Sequence, residues 1–150
     1  MIVRWNLLWV LLCFLTVAAE AAGSAQVLIG DRLSVTVEVA RTEAEKIRGL
    51  SGRNGLQPGR GMLFVYEVPA RPLIWMRGMH FPLDILWIRD GRIVDLVQRA
   101  KPPAPGEAPE IFSAHEEVQY VLEVPAGFAE RHGIVLKDPV EIRLREERAQ

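Results

Sequence analysis

Leu83-Asp-Ile-Leu-Trp-Ile-Arg-Asp-Gly-Arg-Ile-Val-Asp-Leu-Val-Gln98 carries the most structural information in this chain. Two apolar-rich runs flank Asp90-Gly91, a dipeptide suited to a two-residue turn with positive φ at both centres. The spacing predicts an antiparallel hairpin, Leu83–Arg89 against Arg92–Gln98. Side chains alternate along a strand. Ile85, Trp87 and Arg89 therefore share one face, and Asp84, Leu86 and Ile88 share the other. An Asp set between Leu83 and Ile85 marks that second face as unusual.

Upstream, Pro72-Leu-Ile-Trp-Met-Arg-Gly-Met-His-Phe-Pro82 reads as a strand from Ile74 to Arg77 and a kink from Gly78 to Pro82. Met62–Tyr66 reads as a short strand buried on both faces, and Glu67–Arg71 as a proline-bounded turn. The segment Arg48–Gly61 holds five glycines and a proline, so Arg48, Arg53 and Arg60 are expected on loop. Before that, Thr42-Glu-Ala-Glu45 fits a capping box, starting a short helix that stops near Gly49. Gln26–Ile29 and Leu33–Val39 read as two strands turned by Gly30-Asp31. The second alternates strictly, with Leu33, Val35, Val37 and Val39 on one face.

Downstream, Lys101–Pro109 has four prolines in nine residues and is excluded from a sheet. Tyr120–Val124 reads as a strand. Pro125–His132 reads as a short helix with Gly133 as its stop. Val140–Leu144 alternates as a last strand, with Val140, Ile142 and Leu144 inward. About seven strands and two short helices imply a mainly β fold, an antiparallel sandwich or a partly open barrel.

The amino terminus differs from the rest. Met1–Asn6 holds one cation, and Leu7–Ala19 is a run of 13 apolar or near-neutral residues. With Ala19-Glu20-Ala21 as an A-x-A site, residues 1–21 read as a signal peptide. Residues 22–150 are then one β-rich domain with a frayed tail at 145–150. Export to the periplasm or the outside is the expectation. The alternative is an uncleaved anchor over residues 7–19, the one membrane contact foreseen. Cleavage would remove Cys13, the single cysteine, and with it disulfide and thiolate chemistry.

The composition is that of a globular protein, 49% hydrophobic and 25% charged, with a net charge of -1. No nucleic-acid partner is implied. Charge is uneven, however. Arg41–Lys101 has eleven cationic and six acidic residues, whereas Pro102–Gln150 has five and ten. The two halves either face each other in one fold or present a basic side to an anionic ligand.

Arg48-Gly-Leu…Arg53, Gly61-Met-Leu-Phe, Trp75-Met-Arg, Pro82-Leu-Asp-Ile and Tyr120-Val-Leu-Glu-Val-Pro-Ala-Gly127 occur in an order that resembles one family. It is the small, often exported, uncharacterised proteins known as domain of unknown function 192. The resemblance runs from about Val35 to Val140. It implies a compact β-rich, sandwich-like fold with two small helices, and it brings no reaction. Where that family commonly shows Trp-Met-Lys-Asn-Thr, this chain has Trp75-Met-Arg-Gly-Met79. Gly78 and Met79 thus replace an amide and a hydroxyl.

The candidate ligand-binding residues are Arg48, Arg53, Trp75, Arg77 and Asp84. A carboxylate in a buried strand needs hydrogen bonds or a paired charge, and Arg48, Arg53 and Arg77 offer bidentate forks. That cluster either lines a ligand pocket or is a structural tie between the glycine-rich loop and the sheet. Trp87 reads as core, and Trp75 as either core or a stacking surface. His80, His115 and His132 lack metal-ligand spacing, so neither metal nor cofactor is expected. Serine-nucleophile and phosphate-loop motifs are absent.

Three functions remain. The first is a non-catalytic exported binding module for a small anionic, saccharide or peptide ligand. The second is an accessory protein of the cell envelope whose partner is another protein. The third is a hydrolase using Asp84 or His80 at the kink.

Overall fold

A computed structural model describes residues 23–30 and 32–144. The proposed signal peptide or anchor, Asp31 of the first turn and the 145–150 tail lie outside the described residues. In chain order the elements are β1 (Ser24–Ile29), β2 (Leu33–Ala40), α1 (Glu43–Arg48), β3 (Arg60–Ala70), β4 (Ile74–Trp75), β5 (Leu83–Arg89), β6 (Arg92–Ala100), β7 (Ile111–Phe112), β8 (Val118–Pro125), α2 (Phe128–His132) and β9 (Val140–Leu144).

Seven strands form one sheet in the order β6-β5-β8-β3-β2-β1-β9, and β4 pairs with β7 in a separate two-stranded ribbon. The β5–β6 hairpin forms as expected, with Asp90 at φ 49° and Gly91 at φ 67°. Both lie in the left-handed region that this turn requires. The sheet is mixed: β2 and β3 run parallel, and every other pair in it is antiparallel. A parallel pair needs a crossover, and α1 with the glycine-rich loop supplies it.

The sheet curls into a half-barrel. At one end its two edges meet: the Lys137 N–H donates to the Ile93 carbonyl at 2.8 Å, and the Val140 N–H to the Gly91 carbonyl at 2.7 Å. The mainly β reading with two short helices therefore holds, in its partly open barrel form. The concave core includes Val27, Val35, Val37, Leu63, Leu86 and Leu122, with Ile93 and Val140 from the two edge strands. α2 adds Phe128 and Ala129 to it. The outer face carries a second core, where Leu83, Ile85, Trp87, Phe64 and Val121 are covered by Leu50, Ile74, Met76 and Met79.

The alternation in β5 thus separates the two cores. Leu86 and Ile88 enter the concave one, and Ile85 and Trp87 the outer one. Trp87 is fully buried, as its core reading requires. Among the described residues, its Nε1 is the one side-chain nitrogen or oxygen wholly shut from solvent that lacks a hydrogen-bond partner.

The helices start differently. In α1 the Thr42 hydroxyl accepts from the Glu45 N–H at 3.2 Å, and the Glu45 carboxylate accepts from the Thr42 N–H at 2.8 Å. This is the capping box read from sequence. α2 begins at Phe128, three residues later than expected, because Pro125 remains in the β8 ladder opposite Leu83. The supposed turn at Glu67–Arg71 is mostly strand: β3 runs on to Ala70, with a register shift between Val65 and Ala70 that absorbs the proline. Leu144, expected inward, is exposed at the free end of β9.

Candidate functional site

Asp84 stands at the α2 end of β5, fully buried. Its Oδ1 accepts from the Arg99 N–H at 2.8 Å and the Gly127 N–H at 3.0 Å. Its Oδ2 accepts from the Ala129 N–H at 2.8 Å. The N-cap of α2 is Gly127, which has no side chain to cap with. Asp84 therefore caps that helix from another strand, satisfying donors that a helix start leaves open. It also holds the Arg99 backbone, whose φ of 56° is left-handed. The expected pairing of Asp84 with Arg48, Arg53 or Arg77 is not made, because the carboxylate faces α2 and all three arginines lie elsewhere.

Arg53 makes a fork to Glu38 on β2, at 2.6 and 2.7 Å. This hydrogen-bonded pair holds the Glu38 carboxyl below its ordinary range. Arg77 is exposed and lies over the Trp75 ring, with the guanidinium carbon 5.1 Å from the centroid. Arg48 is exposed at the end of α1 and borders two cavities, one with Trp75 and another with Arg53. His80 is exposed, with Nδ1 3.5 Å from the Asn54 side-chain oxygen, and makes no hydrogen bond to Asp84. His115 bonds Asp95 at 2.6 Å, while the His132 ring stacks on Phe128. The structure thus brings Arg48, Trp75 and Arg77 to one region and leaves Arg53 and Asp84 out of it.

That region is a cavity of about 280 Å³ on the outer face of the sheet. Two segments roof it, α1 with Gly49–Ser51 and the stretch Pro72–Met79. They are stitched together by the Gly52 N–H, which donates to the Gly78 carbonyl at 2.8 Å, and by the Ser51 hydroxyl, which donates to the Arg77 carbonyl at 3.0 Å. Gly78 takes φ 69° at this join. Only Gly, or Asn and Asp at modest cost, adopt that conformation readily. An Asn at this position would fit the same backbone.

The cavity walls are Leu50, Phe64, Met76, Met79 and Leu83, and its rim includes Ile47, Tyr66, Leu73 and Trp75. Ile47, Leu73 and Trp75 are exposed large apolar residues, Trp75 by 40%. The lining also includes Glu123 of β8, only 6% exposed. Glu123 pairs with Met62 on one side and Ile85 on the other. No hydrogen bond reaches its carboxyl among the described residues, and burial alone pushes it up to about 8. Tyr66 is pushed up to about 12, first by burial and then by the negative charges of Glu43 and Glu123.

Glu123 is the residue that sequence reasoning missed. Its signal was present in Tyr120-Val-Leu-Glu-Val124, a lone acid between apolar neighbours, the same pattern that singled out Asp84. A cavity of about 360 Å³ lies near α2, but Ser34, Arg131 and His132 in its lining are exposed. It has no buried polar group to orient a ligand.

A curled β-sheet with a roofed outer-face cavity defines a small β-rich protein class, and two solved structures share the fold. One is a crystallised protein from Sinorhizobium meliloti 1021 described as a candidate transcription regulator. It has TM-score 0.74 and 30% identity, covering 81% of this chain and 95% of its own. The other is a protein of unknown function from Novosphingobium aromaticivorans DSM 12444. It has TM-score 0.75 and 30% identity, covering 83% of this chain and 89% of its own. No curated protein matches the chain. Residues 25–142 match the family model DUF192, described as an uncharacterized ACR. The chain belongs to the DUF192 family.

Proposed function

We propose that this protein is a non-catalytic binding module for a small ligand, working outside the cytoplasm after its amino-terminal segment directs export. One observation carries the binding reading: a cavity of about 280 Å³ whose lining includes a buried carboxyl, that of Glu123, with no hydrogen-bond partner among the described residues. Ligand sites are mostly apolar concavities with a few placed polar groups, and a perturbed acid in a cleft is a frequent mark of function. Trp75 at the rim, with Arg77 stacked on its ring, offers an aromatic face and a cation to whatever part of the ligand stays outside. The charged start, apolar run and A-x-A site of residues 1–21 support export.

A thermal-shift screen on protein purified after expression of the full chain tests the binding reading. The library should hold small amines, acids, sugars and short peptides. A stabilising compound should lose its effect in Trp75→Ala and in Glu123→Gln, and weaken in Arg48→Ala. Absence of any stabilising compound would remove the reading. Export is tested separately, by cell fractionation and by sequencing the mature amino terminus, which should begin at Ala22.

A further inference from the structure

We propose that the ligand of this cavity is an organic ammonium ion, an amine on an apolar stem, whose charged head meets the carboxylate of Glu123. The inference rests on the binding reading above and names its chemistry.

Glu123 decides the class. Glu123 projects from the same face of β8 as Val121, and Met62 and Ile85 flank it. A buried carboxylate must be paired or hydrogen-bonded, or else take up a proton. One strand away the fold brings three N–H donors to Asp84, and among the described residues it brings none to Glu123. What is missing is a donor, and a cationic donor would also offset the charge.

The walls agree. Phe64 in the wall and Tyr66 and Trp75 at the rim present aromatic rings, and Met76 and Met79 polarizable thioethers. Such surfaces hold ammonium groups through the negative ring face. The chain itself shows this preference at the rim, where the Lys46 ammonium lies 4.5 Å from the Tyr66 centroid.

The charged and titratable groups around Glu123 are few. α1 contributes Glu43, Lys46 and Arg48, and β3 contributes Tyr66. Lys46 is paired with Glu43 at 3.0 Å, and Arg48 is exposed to water at the rim. On β5, Asp84 points to the opposite face. With burial holding Glu123 up to about 8, the empty site carries a proton at neutral pH. Binding then balances as an ammonium plus a carboxylic acid giving the ion pair and one released proton.

Calorimetric titration with n-butylammonium, n-butanol and butyrate as probes tests the proposal, on protein purified after expression of the full chain. Two buffers of different ionisation enthalpy report proton release without any mutation. Butylammonium should bind best, and its affinity should rise about tenfold from pH 6 to pH 7 as the carboxyl becomes easier to ionise. Close to one proton should leave per site at pH 7, and Glu123→Gln should weaken binding by roughly tenfold or more. Butanol binding as tightly as butylammonium at pH 8, butyrate binding best, or an ammonium complex without proton release would each overturn the ammonium assignment and leave the cavity as a binding site. Silence from all three probes would overturn the assignment and the binding reading together.

Discussion

Asp84 and Glu123 lie on neighbouring strands and one step apart in register, yet they project from opposite faces of the sheet. Asp84 is opposite Val124, and Glu123 is opposite Ile85. Both acids are buried. Asp84 receives three backbone N–H groups from β6 and the start of α2, whereas Glu123 receives no hydrogen bond among the described residues. One acid therefore holds the fold together, and the other lies open to a cavity. Each consequence can be measured.

Asp84→Asn should destabilise the protein by about 2 kcal/mol, since an amide NH₂ would face backbone donors where two acceptor oxygens now stand. Urea unfolding at neutral pH measures this. Arg53→Ala serves as a comparison. Its partly exposed pair with Glu38 should be worth at most about 1 kcal/mol. If the two losses were equal and small, the cap of α2 by Asp84 would not be a main support of the fold.

The pH dependence of stability should carry the mark of Glu123. Its folded carboxyl is raised from 4.5 to about 8 by burial, so between those values the folded state keeps a proton that the unfolded chain has released. The stability from this group is fully present below pH about 4.5 and declines as pH rises, until it is lost above about 8. Glu123→Gln should remove the decline. Thermal melts at several pH values should show the mutant gaining on the wild type toward alkaline pH, by on the order of a few kcal/mol. Parallel curves would mean that the carboxyl titrates normally.

Gly61→Ala should cost about 2 kcal/mol or more through overpacking. A Cβ there would lie 2.6 Å from the backbone oxygen of Glu123 and 3.1 Å from Val124 Cγ1. The nearest obstacle is backbone in the adjoining strand, which cannot rotate away. Chemical denaturation gives the loss, and a weakened response to any cavity ligand should accompany it, because the same contact sets the position of Glu123.

Gly78→Asn should be nearly neutral in stability, within about 0.5 kcal/mol, and Gly78→Val should cost more than about 1 kcal/mol. The position has φ 69°, and an added Cβ would come no closer than 3.4 Å, to Ser51. Backbone conformation, not space, is the constraint. Thermal melts of the two variants side by side separate these effects. An equal loss in both would point to crowding against Ser51.

What could be read from the chain follows from short-range physics. The Asp90-Gly91 hairpin, the Thr42 capping box and the two-face alternation of β5 each depend on residues within a few positions of one another. So does the mismatch of an acid among apolar neighbours, which marked Asp84 and was equally present at Glu123. Partnership was not legible. Asp84 is bonded to residues 15, 43 and 45 positions away, and an arginine could be guessed only from its chemistry. The parallel pairing of β2 with β3, the bulge that keeps Glu67–Ala70 in a strand, and the β4–β7 ribbon also depend on distant segments. So does the cavity, because its floor comes from β8 and its roof from α1 and Pro72–Met79. The sequence alone determined which residues alternate, turn and cap, since those preferences are local to the backbone. Only the tertiary structure decided which buried acid has donors and which has a cavity, because that depends on which strand faces lie beneath which distant loops.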